Sequence, residues 1–297
     1  MHQTARAKVN LKMTSEEKEQ EKPLFEHILV ALDASPHSMA ALEAAARLAH
    51  SIEANIEGLF IEDINWFRLG PHSFSKEVSE ITGNIRPLDQ GSIERQVRAL
   101  SKRMERALRR VSELASINYE FRTERGGVES ELLSASEGAD LITLGRIGQS
   151  MTRGPKLGRT AKALLEKTTK PILLLQKGLK LGDSIICIYD RSEQGKAALQ
   201  VAKKLTQQIE TKLQVVAFKN SDEDARTVIK QVKKELGDLR LPTRVFAVEA
   251  PEAFHLARLV TSKNGGLLIA SRSQPLFKGQ ALERILANIK CPILLTS

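Results

Sequence analysis

Three glycines in the stretch LGRIGQSMTRGPKLGRT stand at a fixed spacing: Gly145, then Gly148 after two residues, then Gly158 after nine more. They separate an apolar run, ADLITLG, from a segment with helical character. Glycine lets the main chain take positive φ and brings backbone N–H groups close to an anion. A helix N-terminus adds about half a positive charge. Together these features predict a phosphate cradle. Asp33 ends the apolar run HILVALD, and a carboxylate there suits a nucleobase amine or a ribose hydroxyl better than a phosphate. The plainer alternative is that the glycines are turn residues and a helix cap. The pattern is neither a P-loop, which needs Gly-Lys-Ser/Thr, nor a GxGxxG fingerprint after a first strand.

The elements that must position these residues alternate between strand and helix. HILVALD, IEGLFI, INYEFRTE, ADLITLG and KPILLLQ read as strands. SMAALEAAARLAHSI, a long helix carrying Ile93, Val97, Leu100, Met104, Leu108, Val111 and Leu114 on one face, VESELLSASEG and LGRTAKALLEKTT read as helices. That order predicts a parallel sheet with right-handed crossovers, and ligands in such sheets sit outside the carboxyl ends of the strands. Residues 62–92, which hold the only Trp, read as a long irregular link with Trp66 and Phe67 anchoring it to the body.

The pattern then restarts. SIICIYDRSEQGKAALQVAKKL repeats HILVALDASPHSMAALEAAARL, so Asp190 stands where Asp33 stood; GLLIAS repeats DLITLG, and LERILANIKCPILLT repeats KALLEKTTKPILLLQ, with Pro292 matching Pro171. The chain is a tandem repeat of one α/β unit: a polar N-terminal tail (1–24), a first domain (25–177) and a second (182–297). In the second copy the glycine loop is five residues shorter, and Ser271 and Gln274 replace its first two glycines, while Gly279 remains. A side chain at the Gly148 position would crowd a ligand, so the second copy is expected to serve as a packing partner.

On VALDASPHS, LFIED and LGRIGQSMTRGPKLGRT leading into AKALLEKTTKPILLL, the chain resembles the universal stress protein family. The resemblance covers both halves after residue 25. It implies two Rossmann-like domains of the adenine nucleotide alpha hydrolase-like type, each with a five-stranded mainly parallel sheet. It also implies a bound adenine nucleotide: ATP, or AMP or ADP, with Mg accompanying it. By the same resemblance, Asp33 and the backbone of Ile61 hold the adenine, Gly145 and Gly148 approach ribose and phosphates, and the backbone at Gly158, Arg159 and Thr160 meets the phosphates. The family usually has Ser or Thr directly after the third glycine. Here Arg159 stands there, with Thr160 next. A backbone contact survives that change; Arg159 either charges a phosphate or points into solvent. Relatives dimerise through their fifth strands, which implies an internal pseudo-dimer in a tandem chain and leaves a homodimer of whole chains open.

Composition narrows the partners. Net charge is +9, spread along the chain with a local excess in ERQVRALSKRMERALRR, which reads as a solvated basic helix face and carries no nucleic-acid signature. Arg146, Arg153 and Lys156 read as solvated loop charges, and His37 as a surface turn residue. Cys187 and Cys291 sit in apolar runs and read as buried, reduced thiols of a cytoplasmic protein. No apolar run is long enough for membrane insertion, and no histidine stands at metal-ligand spacing. Three functions follow in order: an adenine-nucleotide-binding stress sensor or regulator, an interaction protein of the same fold without a nucleotide, and a weak ATPase or autokinase.

Overall fold

The computed structural model describes residues 23–69, 76–78, 85–87, 90–146, 157–175, 182, 184–237, 241–263 and 266–297. The N-terminal tail to residue 22, Gly148, Arg153, Lys156 and most of the segment joining the two halves lie outside the described residues.

Five strands of the first half are β1 (His27–Leu32), β2 (Asn55–Asp63), β5 (Tyr119–Gly126), β6 (Leu141–Gly145) and β7 (Ile172–Leu175), with a separate two-stranded pair, β3 (Lys76–Val78) and β4 (Ile85–Pro87). The second half supplies β8 (Ser184–Tyr189), β9 (Lys212–Lys219), β10 (Thr243–Glu249), β11 (Leu267–Ser271) and β12 (Ile293–Thr296). The two expected five-stranded sheets are joined edge to edge into one sheet of ten, in the order β10-β9-β8-β11-β12-β7-β6-β1-β2-β5. Within each half of this ten-stranded sheet every pairing is parallel, whereas the separate β3–β4 pair is antiparallel. In the large sheet the junction alone is antiparallel, pairing Ile293 with Leu174, Leu294 with Leu173 and Leu295 with Ile172.

The junction forms because ILLL and ILLT are buried along their whole length. Strands covered on both faces read as continuous apolar runs, and β8 is buried at all six positions. Across the junction, Leu173 and Leu294 face one helix layer, whereas Ile172, Leu174, Ile293 and Leu295 face the other. Each such side chain contributes about 1.5–3 kcal/mol of burial. Leaving either strand as a free edge would expose a flat apolar template to other chains.

The first layer holds α1 (Pro36–Ile52), α3 (Gln90–Ala115), α6 (Glu193–Gln208) and α7 (Ala225–Leu236). The second holds α4 (Val128–Ser136), α5 (Arg159–Lys167), α8 (Ala253–Ser262) and α9 (Gly279–Asn288). Because α1 and α4 leave the sheet on opposite faces, the gap between β1 and β6 is the point where the strand order reverses. The gap between β8 and β11 is its counterpart in the second half.

Residues 62–92 are less irregular than the sequence predicts. Residues Ile64–Leu69 form a short helix, α2, directly after β2. Phe67 packs against the first layer, with the Arg125 guanidinium 4.3 Å from its ring centroid. Trp66 is 37% exposed, so Phe67 is the anchor and Trp66 is not. Both cysteines are buried and unpaired, as expected. Among the described residues no helix is long and apolar enough to cross a membrane.

Candidate nucleotide site at the strand-order switch

The site begins with the turn after β1. Ala34 takes a left-handed conformation, φ 61°. Ser35 then caps α1, its side chain accepting the Ser38 N–H at 3.1 Å, and Pro36 occupies the first helical turn. Asp33 Oδ1 accepts the Ser35 N–H at 3.0 Å, and the Asp33 N–H donates to Ser38 Oγ at 3.3 Å. Asp33 is therefore fixed at the carboxyl end of β1, half-buried, at the switch point.

Ile61 lies near the end of β2. The last register pair between β1 and β2 is Leu32 with Phe60, while pairing to β5 continues through Asp63. From Ile61 onward β2 has no strand neighbour on its β1 side, so its main chain borders the space beyond Asp33.

Gly145 ends β6 on the other flank of β1. A Cβ built there would lie 2.8 Å from the His37 carbonyl carbon, 2.9 Å from His37 Cβ and 2.9 Å from the Ser38 nitrogen. The fold itself requires glycine at this position, because the end of β6 presses on the first turn of α1. His37 is thus a half-buried packing residue and not a surface turn histidine. The ends of the glycine segment meet: the Gly158 N–H donates to the Arg146 carbonyl at 2.9 Å, and the Arg146 N–H donates to the Leu175 carbonyl at 2.6 Å. Gly158 caps α5 with φ −61° and ψ 150°, ordinary extended backbone that any residue adopts.

Arg159 is 89% exposed, and its Nε lies 3.7 Å from Glu129 Oε1 in the first turn of α4. Thr160 is half-buried within α5. Among the described residues no three His, Cys, Asp or Glu side chains are grouped as a metal site would need.

Arg146 is not a solvated loop charge. It is half-buried, desolvation lowers its pKa, and Nη1 donates to the Leu286 carbonyl in the second half at 3.0 Å. The acceptor is a main-chain oxygen 140 residues away, which leaves no trace in the sequence.

In the second half the corresponding space is used differently. Asp190 Oδ1 accepts both the Ser192 N–H, at 3.1 Å, and the Ser192 hydroxyl, at 2.6 Å. Gly195 stands where the first half has Ser38, and a Cβ there would run into the Asp190 carboxylate. Asp190 is folded back onto the start of α6. Gln274 is 2% exposed, and its amide donates to the Ile188 carbonyl at 3.4 Å. A 3-10 turn, Pro275–Phe277, follows at once, with Phe277 in the core. The side chain of Gln274 thus reaches the end of β8, at the mirror of the switch point.

The sequence model of the Universal stress protein family matches residues 24–176, just over half of the chain. No curated protein sequence matches the chain significantly. Among solved structures, a universal stress protein from Archaeoglobus fulgidus is similar over 92% of this chain and 98% of its own, with 16% identity and a TM-score of 0.71. A functionally unknown protein from Pseudomonas aeruginosa is similar over 92% of both chains, with 12% identity and a TM-score of 0.54. At such identities the likeness shows the fold alone, a tandem α/β architecture spanning both halves. Taken with the family match over the half that carries Asp33 and the glycine segment, it shows that the chain belongs to the universal stress protein family.

Proposed function

We propose that the first half binds one adenine nucleotide at the β1–β6 switch point, and that the protein is a cytoplasmic stress sensor or regulator whose state follows that ligand. The convergence of three features carries the proposal. The Asp33 turn, the unpaired edge of β2 at Ile61 and the joined ends of the glycine segment all border the carboxyl end of β1. Asp33 and the Ile61 main chain would hold the adenine. Gly145, Gly148 and the main chain at Gly158, Arg159 and Thr160 would border the ribose and phosphates, and the N-terminus of α5 supplies positive potential there. ATP fits this arrangement, as do ADP and AMP; any Mg would ride on the phosphates. The second half, where the Asp190 carboxylate accepts the Ser192 hydroxyl as well as its N–H and the Gln274 side chain reaches the end of β8, acts as a partner in the fold and not as a second site.

One observation favours the alternative, an interaction protein with no nucleotide: the Arg159 side chain is exposed and leans on Glu129, so its charge already has an acidic neighbour. The two readings separate on what leaves the purified protein when it is denatured. Chromatography of the released fraction is expected to show ATP, ADP or AMP near one equivalent per chain. A clean supernatant, together with no binding at millimolar ATP, ADP and AMP, selects the interaction protein.

A further inference from the structure

We infer that Arg146 is a positioning residue that makes the nucleotide segment of the first half depend on the second half. This rests on the nucleotide reading above and adds a regulator to it.

Arg146 and Arg272 directly follow the last residues of β6 and β11, Gly145 and Ser271. Each crosses the junction. Arg146 Nη1 donates to the Leu286 carbonyl at 3.0 Å, and Arg272 Nη1 donates to the Leu165 carbonyl at 3.5 Å. Leu165 and Leu286 occupy the same place in the repeat, six residues before Pro171 and Pro292. Both carbonyls lie in the last turn of their helices, α5 and α9, where main-chain acceptors run out of helical donors. The carbonyls one residue earlier, Leu164 and Ile285, receive the Thr168 and Ile289 N–H groups. The next ones are met by the opposite half's arginine, a cation placed at the negative end of a helix.

Neither guanidinium has a carboxylate partner among the described residues, and burial lowers the pKa of both. Each strap therefore holds a half-buried charge against a single helix end and is spoiled by any shift of one half against the other.

The pair is not equivalent. The main chain of Arg146 also closes the glycine segment, through its carbonyl to Gly158 and its N–H to Leu175. Arg146 thus links the base of the proposed nucleotide site, the junction strand β7 and helix α9. Arg272 N–H meets Thr296 at 2.9 Å, but its side-chain bond is at the limit of hydrogen-bond length and reaches the far end of α5. Movement of the second half would reach the nucleotide segment through Arg146 and would not reach it through Arg272.

The test compares Arg146→Met, Arg146→Lys and Arg272→Met in the full chain. Hydrogen exchange is read at the Gly158 amide, and ATP affinity by titration. Arg146→Met is expected to speed exchange at Gly158 and to weaken ATP binding about tenfold, within the usual range of coupling between sites. Arg146→Lys, which keeps a cationic donor, recovers most of both. Arg272→Met leaves both near wild type, although both methionine variants unfold earlier. Equal effects of the two methionine variants, or unchanged Gly158 exchange in Arg146→Met, overturn the proposal. If wild type itself binds no ATP, the nucleotide reading fails, and exchange at Gly158 still decides whether the strap exists.

Discussion

Gly145→Ala is the most informative single perturbation of the first half, because it adds one carbon where the structure leaves no room. The new Cβ would sit 2.8–2.9 Å from three atoms of His37 and Ser38, two of them main-chain atoms that cannot rotate away. Relief needs β6 or the first turn of α1 to retreat by about half an ångström, to ordinary van der Waals separation. The start of α1 is held by the Ser35 cap, and Ser38 Oγ also receives the Asp33 N–H, so retreat disturbs the turn that presents Asp33. Overpacking of this kind costs about 1–3 kcal/mol. The assay is urea unfolding without nucleotide, wild type against variant. The expected result is a lower midpoint with unchanged slope, together with weaker ATP binding. A variant as stable as wild type would show that the β6–α1 contact is not tight, and that glycine stands at 145 for the ligand alone.

Four further outcomes follow from the same geometry. Arg159→Ala is expected to change ATP affinity by less than about twofold, since an exposed ion pair contributes little; a large loss measured by titration would return the side chain to the phosphates. Gly195→Ala should displace the Asp190 carboxylate from the Ser192 N–H and hydroxyl and cost about 1–2 kcal/mol in urea unfolding, the price of stranding bonded polar groups; an unchanged midpoint would contradict the packing of the second-half turn. Burial pushes the Cys291 thiol up to about 12 and raises Cys187 further, so a thiol reagent at pH 8 should label neither until the protein unfolds; rapid labelling of the native protein would mean that the junction opens. Arg146→Met should separate from Arg272→Met in Gly158 exchange, as set out above.

Much of the architecture was legible in the sequence because parallel strands buried on both faces leave continuous apolar runs. HILVAL, LITLG, ILLL, SIICIY and ILLT all became strands, and the repeated Asp-X-Ser turn and Pro-led last strands marked two copies of one unit. What escaped notice depends on contacts between distant segments. The spacing of Gly145 points to an anion, yet its first obligation is to the start of α1, more than a hundred residues earlier. Arg146 looked like a loop charge because a main-chain acceptor in the other half has no side-chain signature. Gly195 carries no signal in the sequence, although it makes room for Asp190. The helix at Ile64–Leu69 leaves little trace in the sequence because it is under two turns long and its cap, Asp63, whose Oδ1 accepts the Asn65 N–H at 2.9 Å, is also the last residue of a strand.

The central claim is that one half of this tandem chain holds a nucleotide and the other does not. Calorimetric titration of ATP into the full chain, repeated with Asp33→Ala and with Asp190→Ala, tests it most directly. The account predicts a single equivalent bound, lost with Asp33→Ala and kept with Asp190→Ala. Two equivalents in wild type, or binding that survives Asp33→Ala and disappears with Asp190→Ala, would contradict it.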